Sequence, residues 1–492
     1  MYMAENKDNS YSHILKYTGI FGGVQGLNIL VGVVRNKFAA LFLGPSGMGL
    51  LSLFNSTVNL ISSATNLGIP TTGVKMVSEK YEESGREVVD AVHSIRTYSL
   101  ISATLGMLIT ILLGPFFDVS TFSWGNHTLH YVLLGPIVFF TVLAGGETAI
   151  LKGTRQLRAL AFSSSFLALF SLLVSVPIYW QWGESGILAV LFLLALCQWA
   201  LCFRYAVRYY PLRFDFSKAS LRRGIPMIRL GLAFVLAGFM NSGAEFLVRA
   251  FLNQQGDLVE VGLFNTGITL VLVYGGMVFS VMESDYYPRL SAVKGGEDGK
   301  TEAENRNLIV SRQLEMNILL MGPIILAIIL FLPIAIPLLY NREFLGVLGM
   351  TQIAAAGLLF KAFYMPLEYI PLSRGEARVF LIQESCCVIL LIVCEIIGYL
   401  LQGLDGLGAG IVAAYALETL GVFIFCRIHY AYRLSCWAVR HLLVHLVNLI
   451  LMGGIVWLWD VNSWGYWLLG LFLCLISLSY SFSKIHHSLK RK

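Results

Sequence analysis

Residues 30–60 read LVGVVRNKFAALFLGPSGMGLLSLFNSTVNL. Two apolar segments flank a Gly-Pro turn, and Arg35, Asn36 and Lys37 stand in a row inside the first. Each segment, followed to its ends, runs for about 20 residues or more, the length a helix needs to cross the hydrocarbon core of a bilayer. Apolar runs of this kind recur as far as Phe482. A transmembrane β-barrel would alternate in segments of about ten residues instead. The chain therefore reads as an all-α polytopic membrane protein. Composition agrees: of 492 residues 57% are hydrophobic and 13% charged, with mean hydropathy +0.71, too little charge to cover a soluble protein of this size. The polar N-terminus MYMAENKDNSYSH has neither the short apolar core nor the small-residue site of a cleavable signal peptide.

About fourteen spans are expected. They run 14–43, 47–68, 91–114, 128–151, 158–181, 186–208, 226–252, 259–283, 308–332, 346–370, 377–401, 406–429, 437–459 and 464–482. With the N-terminus inside, every second loop is basic. These inside segments hold, among others, Lys75 and Lys80, Lys152 and Arg155, Arg222 and Arg223, Lys294 and Lys300, Arg374 and Arg378, and the tail Lys490–Lys492. The outside loops carry only Arg342. This asymmetry predicts an even number of spans with both termini cytoplasmic. It also accounts for the net charge of +6 without nucleic acid, because the cations line the face where anionic lipid is. The eight cysteines fall in or near apolar spans without zinc spacing and read as reduced packing residues. No cofactor or metal site is expected.

One internal repeat organises the chain. LFNSTVNL at 53–60 is echoed by LFNTGITL at 263–270. Each follows a Gly-containing turn after a span with an arginine, VVRNKF at 33–38 and LVRAFL at 247–252. The copies lie six spans apart, so both halves enter the membrane in the same direction and form two six-helix lobes. The expected division is an N-terminal lobe at 1–208, a basic cytoplasmic linker at 209–225, a second lobe at 226–430, and two added helices with a basic tail at 431–492.

Seven stretches, RNKFAALFLGPSGMGLLSLFN, NLGIPTTGVKMVSEK, LKGTRQLRALA, LRRGIPMIRLGLAF, LVRAFLNQQGDLVEVGLFN, YYPRLSAV and LLFKAFYMPLEYIPLSRGEARVF, follow in this order between residues 35 and 380. Together they resemble the Wzx-type polysaccharide or O-antigen flippases of the multidrug/oligosaccharidyl-lipid/polysaccharide exporter superfamily, a resemblance that extends over residues 12 to about 430. Many members have twelve spans; the added pair at 437–482 is shared with the peptidoglycan lipid flippases of the same superfamily. The resemblance implies an inner-membrane protein without catalytic chemistry. It would move an undecaprenyl-diphosphate-linked oligosaccharide from the cytoplasmic to the periplasmic leaflet by alternating access. Its partners would be that glycan, membrane lipids and the polysaccharide polymerase and chain-length machinery, with H+ or Na+ as coupling ion.

A charge at the bilayer centre costs at least about 2.5–3.5 kcal/mol and needs a reason. Arg35 lies about nine residues before the outer end of span one, roughly 13 Å at 1.5 Å per residue. Lys37 lies nearer the surface and points about 200° away, so the two cannot face one cavity. Both could snorkel to the headgroups. The alternative is that Arg35 binds the diphosphate, for which a guanidinium fork is suited. Arg249 is its repeat partner, with Glu245 four residues upstream in the order that favours a helical ion pair. Lys361 sits near the middle of span ten, too deep to snorkel easily. The diphosphate is thus expected at Arg35, Arg249 and Lys361, with Lys152 and Arg155 as headgroup entry points or plain interfacial cations. Glu418, Glu395 and Glu147 are the candidates for ion coupling, unless each is locally paired. Asn55 and Asn265 read as helix–helix contacts or sugar ligands. The tryptophans at predicted outer ends read as an interfacial belt.

Two rival functions remain. A drug or cation antiporter of the same fold should have an acidic, aromatic cavity, whereas the deep candidates here are basic. A membrane glycan polymerase or ligase would want a sizeable outer loop, and the outer loops are short. The phosphate-cradling G-x-x-x-x-G-K-S/T motif is absent.

Overall fold

The computed structural model describes the backbone of residues 2–81, 85–122, 126–293 and 301–490. Lys294, Lys300, Arg491, Lys492 and the tip of the outer loop at 123–125 lie outside the described residues, as do the side chains of residues 1–25. Among the described residues, eleven helical stretches are long and apolar enough to cross a membrane. Three of the eleven, Gly26–Thr65, Leu157–Tyr209 and Ala377–His429, are broken near the middle. Read as two passes each, they bring the total to the fourteen expected. The chain is an all-α polytopic membrane protein.

A glycine in the left-handed region stands at each of the three breaks: Gly44, Gly183 and Gly403. Helix α1 (Tyr2–Thr65) turns at Gly44, whose φ of 63° lies in the left-handed region, just before Pro45. Helix α12 (Ala377–His429) turns at Gln402 and Gly403, the latter with φ 61°. Beyond that turn the two halves of α12 lie against each other. A Cβ on Gly398 would meet the Gly406 carbonyl, and one on Gly410 would meet that of Cys394. Small residues let helix backbones approach this closely in lipid. The third break is the short 3-10 turn Gly183–Gly186 between α5 (Leu157–Trp182) and α6 (Ile187–Tyr209).

The chain divides into two compact units, Met1–Gly262 and Leu263–Lys492. The first contains α1, α2 (Ile69–Tyr81), α3 (Gly85–Thr121), α4 (Thr128–Gly153), α5, α6 and α7 (Lys218–Gln255). In it α1 packs on α3, α4, α5 and α7, and α4 packs on α3 and α6. Two stretches read as loops from sequence are helical. Ile69–Tyr81, within the expected inside loop, forms α2 after a turn at Leu67 and Gly68. Asp118–Thr121 continues α3 past Pro115, because one missing amide does not end a helix otherwise held by its neighbours.

Helix α8 (Leu258–Ile268) begins at the boundary and passes into a π-helical turn at Thr269–Gly275. The second unit continues through α9 (Met277–Ser291), α10 (Glu302–Leu339), α11 (Leu348–Ser373), α12, α13 (Cys436–Leu458) and α14 (Trp464–Lys490). Here α11 packs between α10 and α12, and the added pair α13 and α14 packs on α10. That contact is specific. His445 of α13 lies 3.2 Å from the hydroxyls of both Ser477 and Ser481 of α14, and a Cβ on Gly322 of α10 would strike its ring. Trp180, Trp457 and Trp464 are 76%, 85% and 82% exposed, as side chains of an interfacial belt must be.

Candidate functional site: a polar cavity in the first unit

A cavity of about 550 Å³ opens among α1, α4, α5 and α6. Both halves of α1 line it, with Asn28, Arg35 and Asn36 from the first and Asn55 and Asn59 from the second. The hairpin at Gly44 brings these residues together across the turn. Helical spacing does the rest: Asn28 and Arg35 are two turns apart, and Asn55 and Asn59 are one turn apart. Helix α5 contributes Ser164, Ser171 and Ser175, again at multiples of a turn, followed by Tyr179. Thr141 of α4 and Gln198 of α6 close the polar lining.

Among the described residues, Arg35 is the one charged side chain on this cavity, and no carboxylate lines it. Its guanidinium donates to the Asn36 side-chain oxygen at 3.3 Å and acts electrostatically on the Tyr179 hydroxyl. Two other polar atoms of the lining, Asn28 Oδ1 and Ser175 Oγ, are buried and without a hydrogen-bond partner. Ser175 is only 1% exposed. Both atoms are closed off from the cavity, whose exposed polar side chains are Asn55, Asn59 and Gln198. Lys37, two residues from Arg35, is not among the lining residues.

The other expected site residues lie elsewhere. Arg249, 8% exposed, donates through Nε to Ser52 Oγ at 2.7 Å. Its Nη1 reaches the Glu245 carbonyl and carboxylate at 3.0 and 3.3 Å. It does not line the cavity. Glu147 is buried in a two-point pair with Arg96, at 2.8 and 3.2 Å. The same guanidinium holds the carbonyls of Tyr210 and Pro211, each at 2.9 Å, and so fastens the start of the 210–217 segment to α3 and α4. Lys152 and Arg155 are exposed at the end of α4. Arg155 has φ 57°, in the turn that joins α4 to α5.

In the second unit, Lys361 Nζ lies 5.8 Å from the centre of the Tyr415 ring, a cation–π distance. Glu368, Glu418 and Glu283 act on it electrostatically. Glu418 is buried and hydrogen-bonded by Tyr364 and Cys387. Glu395 is buried in the first half of α12. Sequence reasoning missed Glu368 as a neighbour of Lys361. The signal was present in the spacing Lys361, Tyr364, Glu368, which shares one face of α11. It also missed the serine series on α5 and Gln198, whose meeting with Arg35 no linear pattern announces.

A family described as polysaccharide biosynthesis protein matches residues 14–294, more than half of the chain. No curated protein sequence matches significantly. Among solved structures, the lipid II flippase MurJ in an inward closed conformation is similar with TM-score 0.70 at 14% identity, over 95% of this chain and 99% of that one. An inward-facing multidrug resistance MATE transporter of the MOP superfamily gives TM-score 0.67 at 15% identity, over 82% and 94%. A MOP superfamily transporter from Pyrococcus furiosus, described as having a binding pocket of reverse polarity, gives 0.56 at 14%, over 85% and 96%. At these identities the likeness shows the shared fold.

Proposed function

The chain belongs to the polysaccharide biosynthesis protein family, and from that premise we propose that it is a flippase for a lipid-linked oligosaccharide. It carries this substrate from the cytoplasmic to the outer leaflet of the cell's inner membrane. It does so by alternating access between two lobes, 1–208 and 226–430, joined by the linker at 209–225 and followed by the added helices at 431–492. Both termini are cytoplasmic. The work is binding and movement, without catalytic chemistry.

The observation that carries this reading is the cavity itself: among the described residues its lining is amides and hydroxyls around one cation, with no carboxylate. Such a lining matches a substrate that is polyhydroxylated and anionic. A cation antiporter wants the opposite sign in its cavity. Arg35 is the anchor. Arg249 has its donors engaged with Ser52 and Glu245, and Lys361 stands among carboxylates, so a role for either at the diphosphate requires those contacts to be given up. Lys152 and Arg155, exposed at the end of α4, suit the arriving headgroup. Glu418 and Glu395 remain the coupling candidates; Glu147 is occupied by Arg96.

The test is flipping by the purified chain in vesicles loaded with the host's lipid-linked oligosaccharide, read by enzymatic access to the glycan from outside. Transfer faster than in protein-free vesicles, and lost in Arg35→Ala at equal protein content, is expected. Equal rates in protein and control vesicles would remove the flippase reading.

A further inference from the structure

The cavity specifies more than an anion. It lies wholly within the first unit, and its volume of about 550 Å³ is that of a small-molecule site. A lipid-linked oligosaccharide can therefore place only a part of itself there. Two parts compete: the diphosphate and a sugar.

Charge separates them. A diphosphate esterified at both ends carries two negative charges, and the described lining offers one guanidinium. A diphosphate placed here would have one of its two charges unmatched by the described lining. Among the described residues no second cation lines the cavity: Arg249 lies outside it and is bonded to Glu245 and Ser52. A carboxylate carries one charge, which Arg35 balances, and its two oxygens suit a guanidinium fork. The rest of the lining supports the same choice. Asn55, Asn59 and Gln198, whose side chains are exposed on the cavity, offer both donors and acceptors, as ring hydroxyls require. Apolar side chains between them, such as Val58 and Leu194, can cover the C–H faces of a sugar ring.

We infer that this cavity is a subsite for one carboxylate-bearing sugar of the transported glycan. Arg35 pairs the carboxylate, and the amides and hydroxyls around it bind the ring hydroxyls. The inference rests on the flippase reading for its physiological ligand, but the site can be tested alone.

The full chain in lipid nanodiscs is titrated calorimetrically with glucuronate, galacturonate, their methyl esters, glucose and inorganic pyrophosphate. One or both uronates should bind, with esters and glucose at least about tenfold weaker, because a neutral ligand leaves Arg35 uncompensated. Arg35→Gln should abolish the preference for acid over ester. Gln198→Ala, which keeps the charge, should weaken uronate binding about two- to fivefold, the range of one modest hydrogen bond. Lys37→Ala should leave it unchanged. Pyrophosphate binding more tightly than both uronates would overturn the assignment. So would uronate binding untouched by Arg35→Gln, or no uronate binding to the folded wild type. Failure of the two readings is distinguishable: uronate binding without flipping removes the flippase, and flipping without uronate binding removes the subsite.

Discussion

Arg35 and Arg249 stand at matching places in the two sequence copies, and their surroundings differ. Four residues before Arg249 is Glu245, which pairs with it along the helix. Four residues before Arg35 is Val31, buried and apolar. Arg249 also holds the hydroxyl of Ser52, the residue preceding LFN in the first copy. In the second copy that position is Gly262, which has no hydroxyl to offer. One arginine is therefore engaged by its own protein, and the other faces a cavity whose acceptors are a neighbouring amide and whatever enters. A repeat duplicates a cation; the residues around each copy decide whether that cation binds substrate or holds helices together.

The sharpest break of this comparison is removal of Arg35. Arg35→Ala should abolish complementation of glycan export, and Arg35→Lys should lower it about tenfold or more, since an ammonium lacks the planar fork. Immunoblots should show normal membrane abundance for both. If Arg35→Ala exports normally, the cavity is not the site.

The next change removes the contrast by adding what Arg249 has. Val31→Glu supplies Arg35 with an acid one turn away. It should cut export well below that of Val31→Gln, a control of the same size without charge, at matched abundance. Equal export in the two would mean that pairing does not silence Arg35.

Arg249→Ala should act on stability. It removes charge-assisted bonds to Ser52 and Glu245 and leaves the Ser52 hydroxyl without that partner. The cost is about 1–3 kcal/mol, read as a lower melting temperature of the purified protein. Glu245 is more than half exposed, so Glu245→Ala should cost about 1 kcal/mol or less. A normal melting temperature with export lost in Arg249→Ala would move Arg249 to the substrate.

Lys37→Ala gives the smallest effect. It lies off the cavity, so export and stability should stay within about 0.5 kcal/mol of wild type. Loss of export here would mean that the wrong face of α1 has been assigned.

Much of the fold was legible in the sequence. Span length follows from apolar runs matched to the bilayer, and all three mid-stretch breaks carry a glycine that tolerates positive φ, Gly44, Gly183 and Gly403. The Glu245–Arg249 pair was also readable, because helix periodicity is a property of a single segment. The short helix α2 was not, since thirteen residues of mixed polarity lie below the length at which apolar pattern declares a helix.

Contacts between segments were decided only by the tertiary structure. Glu147 looked like a coupling acid until it met Arg96, 51 residues away in sequence. Lys361 looked like a free cation until Tyr415 and three glutamates on other turns and helices surrounded it. Asn28, Asn59, Ser175 and Gln198 carry no charge and no motif, and each alone could be a helix–helix contact. They become a site because the hairpins at Gly44 and Gly183–Gly186 set the register of four helices around one space. Hydropathy depends on composition along one axis, whereas a binding cavity depends on how helices cross and rotate, which no single segment encodes.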